Sequence, residues 1–228
     1  MDITKKIKDI LAEYDKRVGN SSAPVNAAKK AMAKWEAAQE VAKAIGGTAA
    51  DIMLTDILDT EMTEEEIAEV VTQLMQRNYE RAAEAARLAQ VATNAEAGIG
   101  LKPIVPEFDK VRNSDLIGLI SAGESAETIR QKVINNSLNV VDEAIAENTK
   151  LHANSGLKVT ITRKYDGVGL RNRKQSCQWC LARSGTWTYE GAREAEVFAR
   201  HVGCGCVIVY NTSKFRQIQV GRGSFRDL

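Results

Sequence analysis

All four cysteines of this 228-residue chain lie in one window, residues 177–206, which also holds one of its two histidines. The window reads C-x2-C and then H-x2-C-x-C, with Cys177, Cys180, His201, Cys204 and Cys206 at these positions. The first pair has the knuckle spacing in which a tight turn directs two thiolates to one point. The last two cysteines are two residues apart, so in an extended segment their side chains share a face. The pattern predicts a metal site with the cysteines as ligands and the histidine as a fifth candidate, or as a donor to a thiolate.

Zinc suits this donor set, because thiolates and imidazoles bind it tetrahedrally. A site filled by four protein ligands has no open position for water or substrate, so the expected role of Zn2+ is structural. A small sheet buries little apolar area and commonly needs such a cross-link. Three alternatives stay open on the sequence: a redox pair, disulfides in an oxidising environment, and core cysteines without a metal.

A metal-dependent nuclease is a further alternative, since zinc-knuckle nucleases combine a C-x2-C motif with a histidine base. Such an enzyme needs a second, open metal site, and apart from His201 the chain has only His152. We expect His152, at the end of a polar helix, to be solvated. No Ser-His-Asp grouping, phosphate-binding loop or carboxylate pair stands out. The sequence therefore predicts a protein that is not an enzyme and has no small-molecule substrate.

Helical periodicity covers the first 155 residues. Apolar positions predict a helix over residues 2–17, and Ser22 with Pro24 marks the start of a second helix. We expect that helix to end at Gly46–Gly47, where glycines commonly stop helices. A capping-box pattern at Thr48–Asp51 then predicts a short third helix.

A second capping box, from Thr63 to Glu66, predicts the start of the longest helix. That helix should pass through an alanine-rich stretch and end at Gly98. A shorter helix is expected near 108–121, and Ser125 is expected to cap a last long helix.

The pattern changes after this helix. Residues 157–164 alternate apolar and polar side chains, which predicts a half-buried strand. The apolar run 206–210 predicts a strand buried on both faces, and 216–220 predicts an edge strand. Between them, 192–202 predicts a short helix ended by Gly203.

These elements predict an α+β fold, with a helical N-terminal region for docking or bundling over residues 1–155. A small α+β domain, cross-linked by a structural zinc ion and ending in a basic tail, should follow over residues 156–228. Charge divides the chain in a similar way: residues 1–150 hold 18 Lys and Arg against 25 Asp and Glu, a net charge of −7, while residues 151–228 hold 13 against 5, a net charge of +8. Such an asymmetry indicates either two regions with different partners or two parts that attract each other.

The chain offers no apolar run of the roughly 18 residues that a membrane helix needs. Its N-terminal segment is charged throughout, so we expect no secretory signal. The sequence therefore predicts a protein made in cytoplasm with no membrane partner.

The cysteine window resembles the phage minor head proteins of the Mu F-like (head morphogenesis) family. In that family the ending is often written His-Pro-x-Cys-Arg-Cys, and here it stands as His201-Val-Gly-Cys204-Gly-Cys206. Val202 replaces the proline and Gly205 the arginine, so the metal-type residues are kept and their neighbours differ. The family's knuckle corresponds to Cys177-Gln-Trp-Cys180. The resemblance covers about residues 157–211, and the preceding region matches only in being helical.

The resemblance implies a non-enzymatic minor capsid protein of a tailed bacteriophage. Such proteins are virion components that lie inside the head near the portal and act in head morphogenesis, in some phages with DNA packaging or ejection. The implied partners are the portal protein, the major capsid protein or both. The implied location is the virion interior, and the host cytoplasm during assembly.

Basic side chains of the C-terminal region could contact packaged double-stranded DNA through its phosphates, without sequence specificity. They are Arg171, Arg173 and Lys174 in one loop and Lys214, Arg216, Arg222 and Arg226 in the tail. The alternative for the tail is a mobile, solvated terminus. Trp179 and Trp187 could stack on bases, or could pack in a small core. A zinc-ribbon nucleic-acid-binding protein is therefore the second hypothesis for function.

Overall fold

A computed structural model describes residues 2–20, 34–58, 61–165, 177–201 and 203–213 of the chain. It confirms the predicted α+β fold, since most described residues are helical and a small antiparallel sheet lies near the C-terminal end. In chain order the elements are α1 (Ile3–Asn20), α2 (Lys34–Ile52), a π-helical turn (Met53–Ile57), α3 (Glu64–Ala97), α4 (Lys110–Ser121), α5 (Ala126–Asn154), β1 (Lys158–Lys164), α6 (Gln178–Ala182), β2 (Gly185–Trp187), α7 (Tyr189–Glu194) and β3 (Val207–Ser213). The predicted helix start at Ser22 and Pro24 and the predicted strand 216–220 lie outside the described residues.

The two longest helices begin at the caps that the sequence predicts. The Thr63 hydroxyl accepts a hydrogen bond from the Glu66 amide at 3.2 Å, and the Glu66 carboxylate accepts one from the Thr63 amide at 2.9 Å. Gly98, with φ of 61°, ends this helix in the left-handed region that glycine adopts readily. The Ser125 hydroxyl caps α5 by accepting from the Thr128 amide at 3.2 Å.

The prediction that a helix ends at Gly46–Gly47 is wrong, because α2 continues without a break to Ile52. The short third helix predicted from Thr48 is also wrong, since the Thr48 hydroxyl donates to the Ala44 carbonyl within the same helix. Gly46 serves close packing instead. A Cβ at this position would lie 2.6 Å from Ser137 Oγ and 3.0 Å from Ile134 Cα, both on α5. The glycine therefore lets α2 and α5 approach each other closely.

The hydroxyl that faces Gly46 is fixed by a buried chain of hydrogen bonds through three helices. Tyr14 on α1 donates to Asn78 on α3 at 3.0 Å, and Asn78 donates to Ser137 on α5 at 2.6 Å. Ser137 in turn donates to the carbonyl of Val133 at 3.0 Å. Because Ser137 holds two partners at once, it has little freedom to move away from a larger neighbour.

A Gly46→Ala substitution is expected to destabilise the protein by about 1–3 kcal/mol, the usual cost of overpacking a filled core. Gly47→Ala is the matched control, because nothing lies within 4 Å of its added Cβ. That control should be neutral or stabilising by up to about 1 kcal/mol, through the higher helix propensity of alanine. Urea unfolding followed by circular dichroism measures both changes, and equal effects of the two substitutions would contradict this interpretation of Gly46.

The sheet has the order β2-β1-β3, with both pairs antiparallel. In β1 the buried side chains are Val159, Ile161 and Arg163, so the predicted alternation is confirmed and extends to a charged residue. The prediction that the last apolar run is buried on both faces is wrong. In β3 only Ile208 and Tyr210 are fully buried, because the helices cover one face of the sheet.

The predicted helix over 192–202 is also wrong in its bounds, since α7 spans Tyr189–Glu194 and a turn follows. Its start is fixed by the Thr188 hydroxyl, which accepts from the Gly191 amide at 3.2 Å. Its end is fixed by Glu196, which has φ of 51°, and by a bond from the Val197 amide to the Ala192 carbonyl at 2.8 Å. This left-handed termination frees residues 197–201 to run toward the cysteines in non-helical form.

The sheet and the helices share one hydrophobic core. Tyr210 of β3 lies at their junction: its ring centroid is 5.4 Å from that of Trp35 on α2 and 5.8 Å from that of His152 on α5. Its hydroxyl donates to Gln90 on α3 at 2.6 Å. Tyr210 thus contacts α2, α3 and α5, and these contacts fix the sheet and the adjoining cysteine window against the helical region.

Candidate metal centre

The first two cysteines are placed by α6. Cys177 is the N-cap of this short helix, and the Leu181 amide donates to its carbonyl at 2.9 Å. The Cys177 amide donates to the Tyr165 hydroxyl at 2.9 Å, which ties the knuckle to the end of β1. Cys180 lies one helical turn later, so both sulfur atoms face the same side.

The remaining three candidates lie on the segment that leads into β3. Gly203, with φ of 77°, allows a tight turn in which the Cys204 amide donates to the His201 carbonyl at 3.1 Å. His201, which precedes this turn, places its Nε2 beside the sulfur atoms of Cys180 and Cys177. The Asn135 side chain on α5 donates to the same carbonyl at 2.8 Å, so the helical region also holds this segment.

The structure brings the five predicted ligands into two adjoining groups. His201 Nε2 lies 2.9 Å from Cys180 Sγ and 3.2 Å from Cys177 Sγ, and Cys180 Sγ lies 3.7 Å from Cys204 Sγ. The donors form two groups whose atoms all lie within 4.8 Å of one another: Cys177, Cys180 and His201, and Cys180, Cys204 and Cys206. Cys180 belongs to both groups, and every cysteine except Cys177 is buried. The cluster can therefore bind a metal ion.

Burial and neighbouring charges shift the thiol pKa values in opposite directions. A hydrogen bond from Cys206, together with the nearby guanidinium groups of Arg200 and Arg163, lowers the pKa of Cys204 to about 4. Burial and the charge of Cys204 raise the pKa of Cys180 to about 12. The hydrogen bond to Cys204 and burial also raise the pKa of Cys206. Of these three thiols, Cys204 is therefore the one that holds negative charge most readily.

Arg163 is a site residue that the sequence analysis did not single out. Its side chain is 1% exposed, and Nη2 donates to Cys204 Sγ at 3.3 Å. Nη1 donates to the carbonyls of Val197 and Ala199. The alternation of β1 could have found it, because position 163 shares a face with buried positions 159 and 161.

A buried ion pair joins the other side of the cluster to the helical region. The guanidinium of Arg200 binds both carboxylate oxygens of Asp142 on α5, and the two side chains are 3% and 0% exposed. Arg200 also donates to the Cys206 carbonyl at 2.8 Å and to Gln39 at 3.0 Å. Burial raises the pKa of Asp142, and the bound guanidinium opposes that shift. Asp142 lies on the apolar face of α5. A single carboxylate on such a face indicates that a group which neutralises its charge is buried beside it.

The two tryptophans near the cluster contact protein groups. The Trp179 ring lies edge-on to the His201 ring at 5.1 Å, and its face lies 3.9 Å from the Arg183 guanidinium carbon. The Arg163 guanidinium carbon lies 5.1 Å from the same ring. Trp187 packs against the main core. These contacts agree with the alternative in which both tryptophan side chains pack within the protein.

The prediction that His152 is solvated is wrong, since it is fully buried on α5. Burial lowers its pKa, and neither ring nitrogen has a hydrogen-bond partner among the described residues. The side chain is therefore not accessible to a substrate. Within the described part of the chain, groups of three or more possible metal ligands occur only in the cysteine window.

Acidification is expected to destabilise the wild type more than a His152→Leu variant. The folded state favours the neutral ring, whereas the unfolded chain protonates it near pH 6.5. The His152 contribution is fully present above that pH and is lost as the pH falls, with a limiting slope of about 1.4 kcal/mol per pH unit. Urea unfolding between pH 8 and pH 5 measures the difference, and His201, present in both proteins, cancels. Parallel pH profiles would contradict this account of His152.

The predicted DNA-contacting residues Arg171, Arg173, Lys174, Lys214, Arg216 and Arg222 lie outside the described residues, as does Arg226.

Comparisons with family models, with curated proteins and with solved structures found no match for this chain. Within the described ranges, no helix is both long enough and apolar enough to cross a lipid bilayer.

Proposed function

We propose that the cysteine window binds one zinc ion as a structural cross-link. The observation that carries this proposal is the convergence of four sulfur atoms and one imidazole nitrogen, from two segments, beside a buried guanidinium. Thiolate and imidazole donors favour zinc over harder cations. Cys177, Cys180, His201, Cys204 and Cys206 are the residues that would hold it.

A bound zinc ion would cross-link the knuckle on α6 to the turn before β3. The knuckle on α6 and the segment before β3 meet through the cysteine side chains, which form a small cluster apart from the main core, and through the Trp179–His201 ring contact and the Arg183–Glu196 ion pair. Arg200 and Asn135 hold the turn against α5. The metal would fix the knuckle relative to the turn.

We further propose that the chain is a non-enzymatic minor capsid protein of a tailed phage, acting in head morphogenesis beside the portal inside the head. The support is the C-x2-C and H-x2-C-x-C pattern, whose five side chains lie in two adjoining donor groups that share Cys180. The helical region, with its excess of carboxylates, would bind the portal protein, the major capsid protein or both. The zinc-bound region would face packaged DNA.

Co-expression with the portal and major capsid proteins encoded in the same genome tests this role. The tagged chain should retain at least one of them through a wash in about 0.5 M salt, where exposed charge pairs are largely screened. A variant in which the exposed Val111 is replaced by aspartate is a control for nonspecific apolar capture. If neither protein is retained, the proposed head-assembly role is wrong.

The charge of +8 in residues 151–228 favours a zinc-ribbon nucleic-acid-binding protein as the second candidate. That function predicts binding to a short DNA duplex that weakens steeply between about 50 and 200 mM salt. Replacing Arg171, Arg173 and Lys174 together with alanine should remove much of this binding. Cleavage of the duplex when Mg2+ is added would instead indicate the nuclease alternative.

A further inference from the structure

Arg163 of β1 brings a positive charge into the interior of the protein, beside the cysteine window. Its side chain is 1% exposed, and its Nε atom has no hydrogen-bond partner among the described residues. A buried charge is unfavourable unless an opposite charge and hydrogen bonds offset it. The groups around this guanidinium should therefore include an anion.

The carboxylates beside the window already bind other arginines. Both oxygens of the buried Asp142 carboxylate bind Arg200, and Glu196 pairs with Arg183. Within the described ranges of the chain, no ion pair joins Arg163 to a carboxylate. The negative partner of this guanidinium must therefore come from a different kind of side chain.

Cysteine sulfur is the partner that the structure supplies. Arg163 Nη2 donates to Cys204 Sγ at 3.3 Å, and the guanidinium also interacts with the Cys206 thiol. A hydrogen bond from a cation to an anion is stronger than one between neutral groups, and it favours the ionised form of the acceptor. Cysteines that bind a metal do so as thiolates. The charge of Arg163 is therefore matched when these sulfur atoms hold a metal ion.

Further contacts fix the direction in which Arg163 donates. Nη1 donates to the Val197 carbonyl, and to the Ala199 carbonyl at 2.7 Å. The guanidinium carbon also lies 5.1 Å from the centroid of the Trp179 ring. Because the guanidinium is a rigid plane, the bonds at Nη1 also fix the orientation of Nη2. The donor that faces the sulfur atoms is thus held in place by groups that are not metal ligands.

These contacts apply to every possible set of four ligands. Structural zinc takes four donors, and the cysteine window supplies five. Any four of the five include Cys204, Cys206 or both. Because Arg163 interacts with both sulfur atoms, it contacts a metal-bound thiolate whichever donor is left out.

We propose that Arg163 is a positioning residue of the metal centre, whose guanidinium neutralises and orients the thiolate ligand at Cys204, at Cys206 or at both. This inference rests on the proposed function, because it presupposes that the cluster binds a metal. It gives β1 a role in metal affinity, although this strand contains no cysteine or histidine.

The cobalt form of the full-length protein tests this role through its sulfur-to-cobalt charge-transfer bands. Loss of a hydrogen bond to a metal-bound sulfur raises the energy of the sulfur lone pairs, so Arg163→Met should move these bands to longer wavelength. The d–d bands, which depend on the donor set, should keep their positions. Competition with a chelator should show a zinc affinity lower by about 10- to 100-fold, as for other partners of metal ligands.

Arg163→Lys separates the charge from the backbone contacts. Lysine keeps a positive charge and a donor, but it lacks the planar fork that binds two carbonyls and a sulfur together. This variant should lose less than about tenfold in zinc affinity and keep its charge-transfer bands near the wild-type positions. Lys164→Met is the matched control and should change neither quantity, because this side chain is 55% exposed and pairs with Glu36.

The outcomes distinguish this inference from the proposed metal centre. Equal losses of affinity in Arg163→Met and Arg163→Lys, with unmoved charge-transfer bands, would overturn the inference, since the effect would then come from the bonds to Val197 and Ala199. Wild-type bands and affinity in Arg163→Met would overturn it as well. If circular dichroism shows that Arg163→Met does not fold, Arg163→Lys decides, and a loss of more than about tenfold would overturn the inference. Wild-type protein that binds neither cobalt nor zinc would instead overturn the proposed metal centre.

Discussion

A Cys180→Ser variant is expected to lose its bound metal and, with it, the hydrogen-exchange protection of β1 and β3. Cys180 belongs to both donor groups and is 2% exposed, so the substitution removes a buried donor from each group. Structural zinc contributes about 10–16 kcal/mol in small zinc domains at pH 7. That is comparable with the whole stability of a typical domain, about 5–15 kcal/mol.

Hydrogen exchange followed by mass spectrometry localises the effect of Cys180→Ser. Peptides covering Lys158–Lys164 and Val207–Ser213 should exchange at least about tenfold faster, while α3 should change less, because its backbone hydrogen bonds lie within one long helix capped at Thr63 and Gly98. Leu181→Ser is the matched control, since this neighbour is 41% exposed. Unchanged exchange in Cys180→Ser would show that the cluster does not stabilise the sheet.

An Asp142→Asn substitution is expected to cost about 3–5 kcal/mol, the second-largest effect of a single side chain. The substitution removes the charge that neutralises Arg200, whose side chain is 3% exposed, and leaves a buried guanidinium without a carboxylate. Because Arg200 also binds the Cys206 carbonyl, the turn that carries the cysteines should loosen as well. Chemical unfolding at pH 7.5 measures the loss.

Two comparisons make the Asp142 experiment decisive. Asp115→Asn alters an ion pair whose carboxylate is 58% exposed, and it should change the free energy of unfolding by less than about 1 kcal/mol. The double variant Asp142→Leu with Arg200→Met should be more stable than Asp142→Asn, because it removes both buried charges together. A loss in Asp142→Asn no larger than that in Asp115→Asn would contradict the role given to this ion pair.

Local signals predicted the caps of the long helices well. The capping box at Thr63 and Glu66 and the cap at Ser125 depend on residues within one helical turn, and the structure shows both. The alternation of β1 was likewise predicted, because burial on one face follows from a period of two. The five metal-site candidates were found because their residue types and spacing are chemically specific.

The wrong predictions share a different cause, which is a partner distant in the sequence. Gly46 looks like a helix stop until α5 is seen packed against it. His152 looks like a polar helix end until Tyr210 covers it. Arg163 is recognised as a site residue only from its hydrogen bond to Cys204, which lies 41 residues away along the chain. Tertiary contacts determine the burial and the role of such residues, and the spacing of residue types within a short segment does not contain that information.

The metal content of the purified wild-type protein tests the central claim most directly. Elemental mass spectrometry on protein prepared without chelators should find about one zinc per chain, retained through dialysis. Titration of thiols under native conditions should then find the cysteines unreactive, and they should become reactive once the protein is unfolded with chelator. Less than about 0.1 zinc per chain, in a folded protein with reactive or disulfide-linked cysteines, would contradict the account of the window as a structural metal centre.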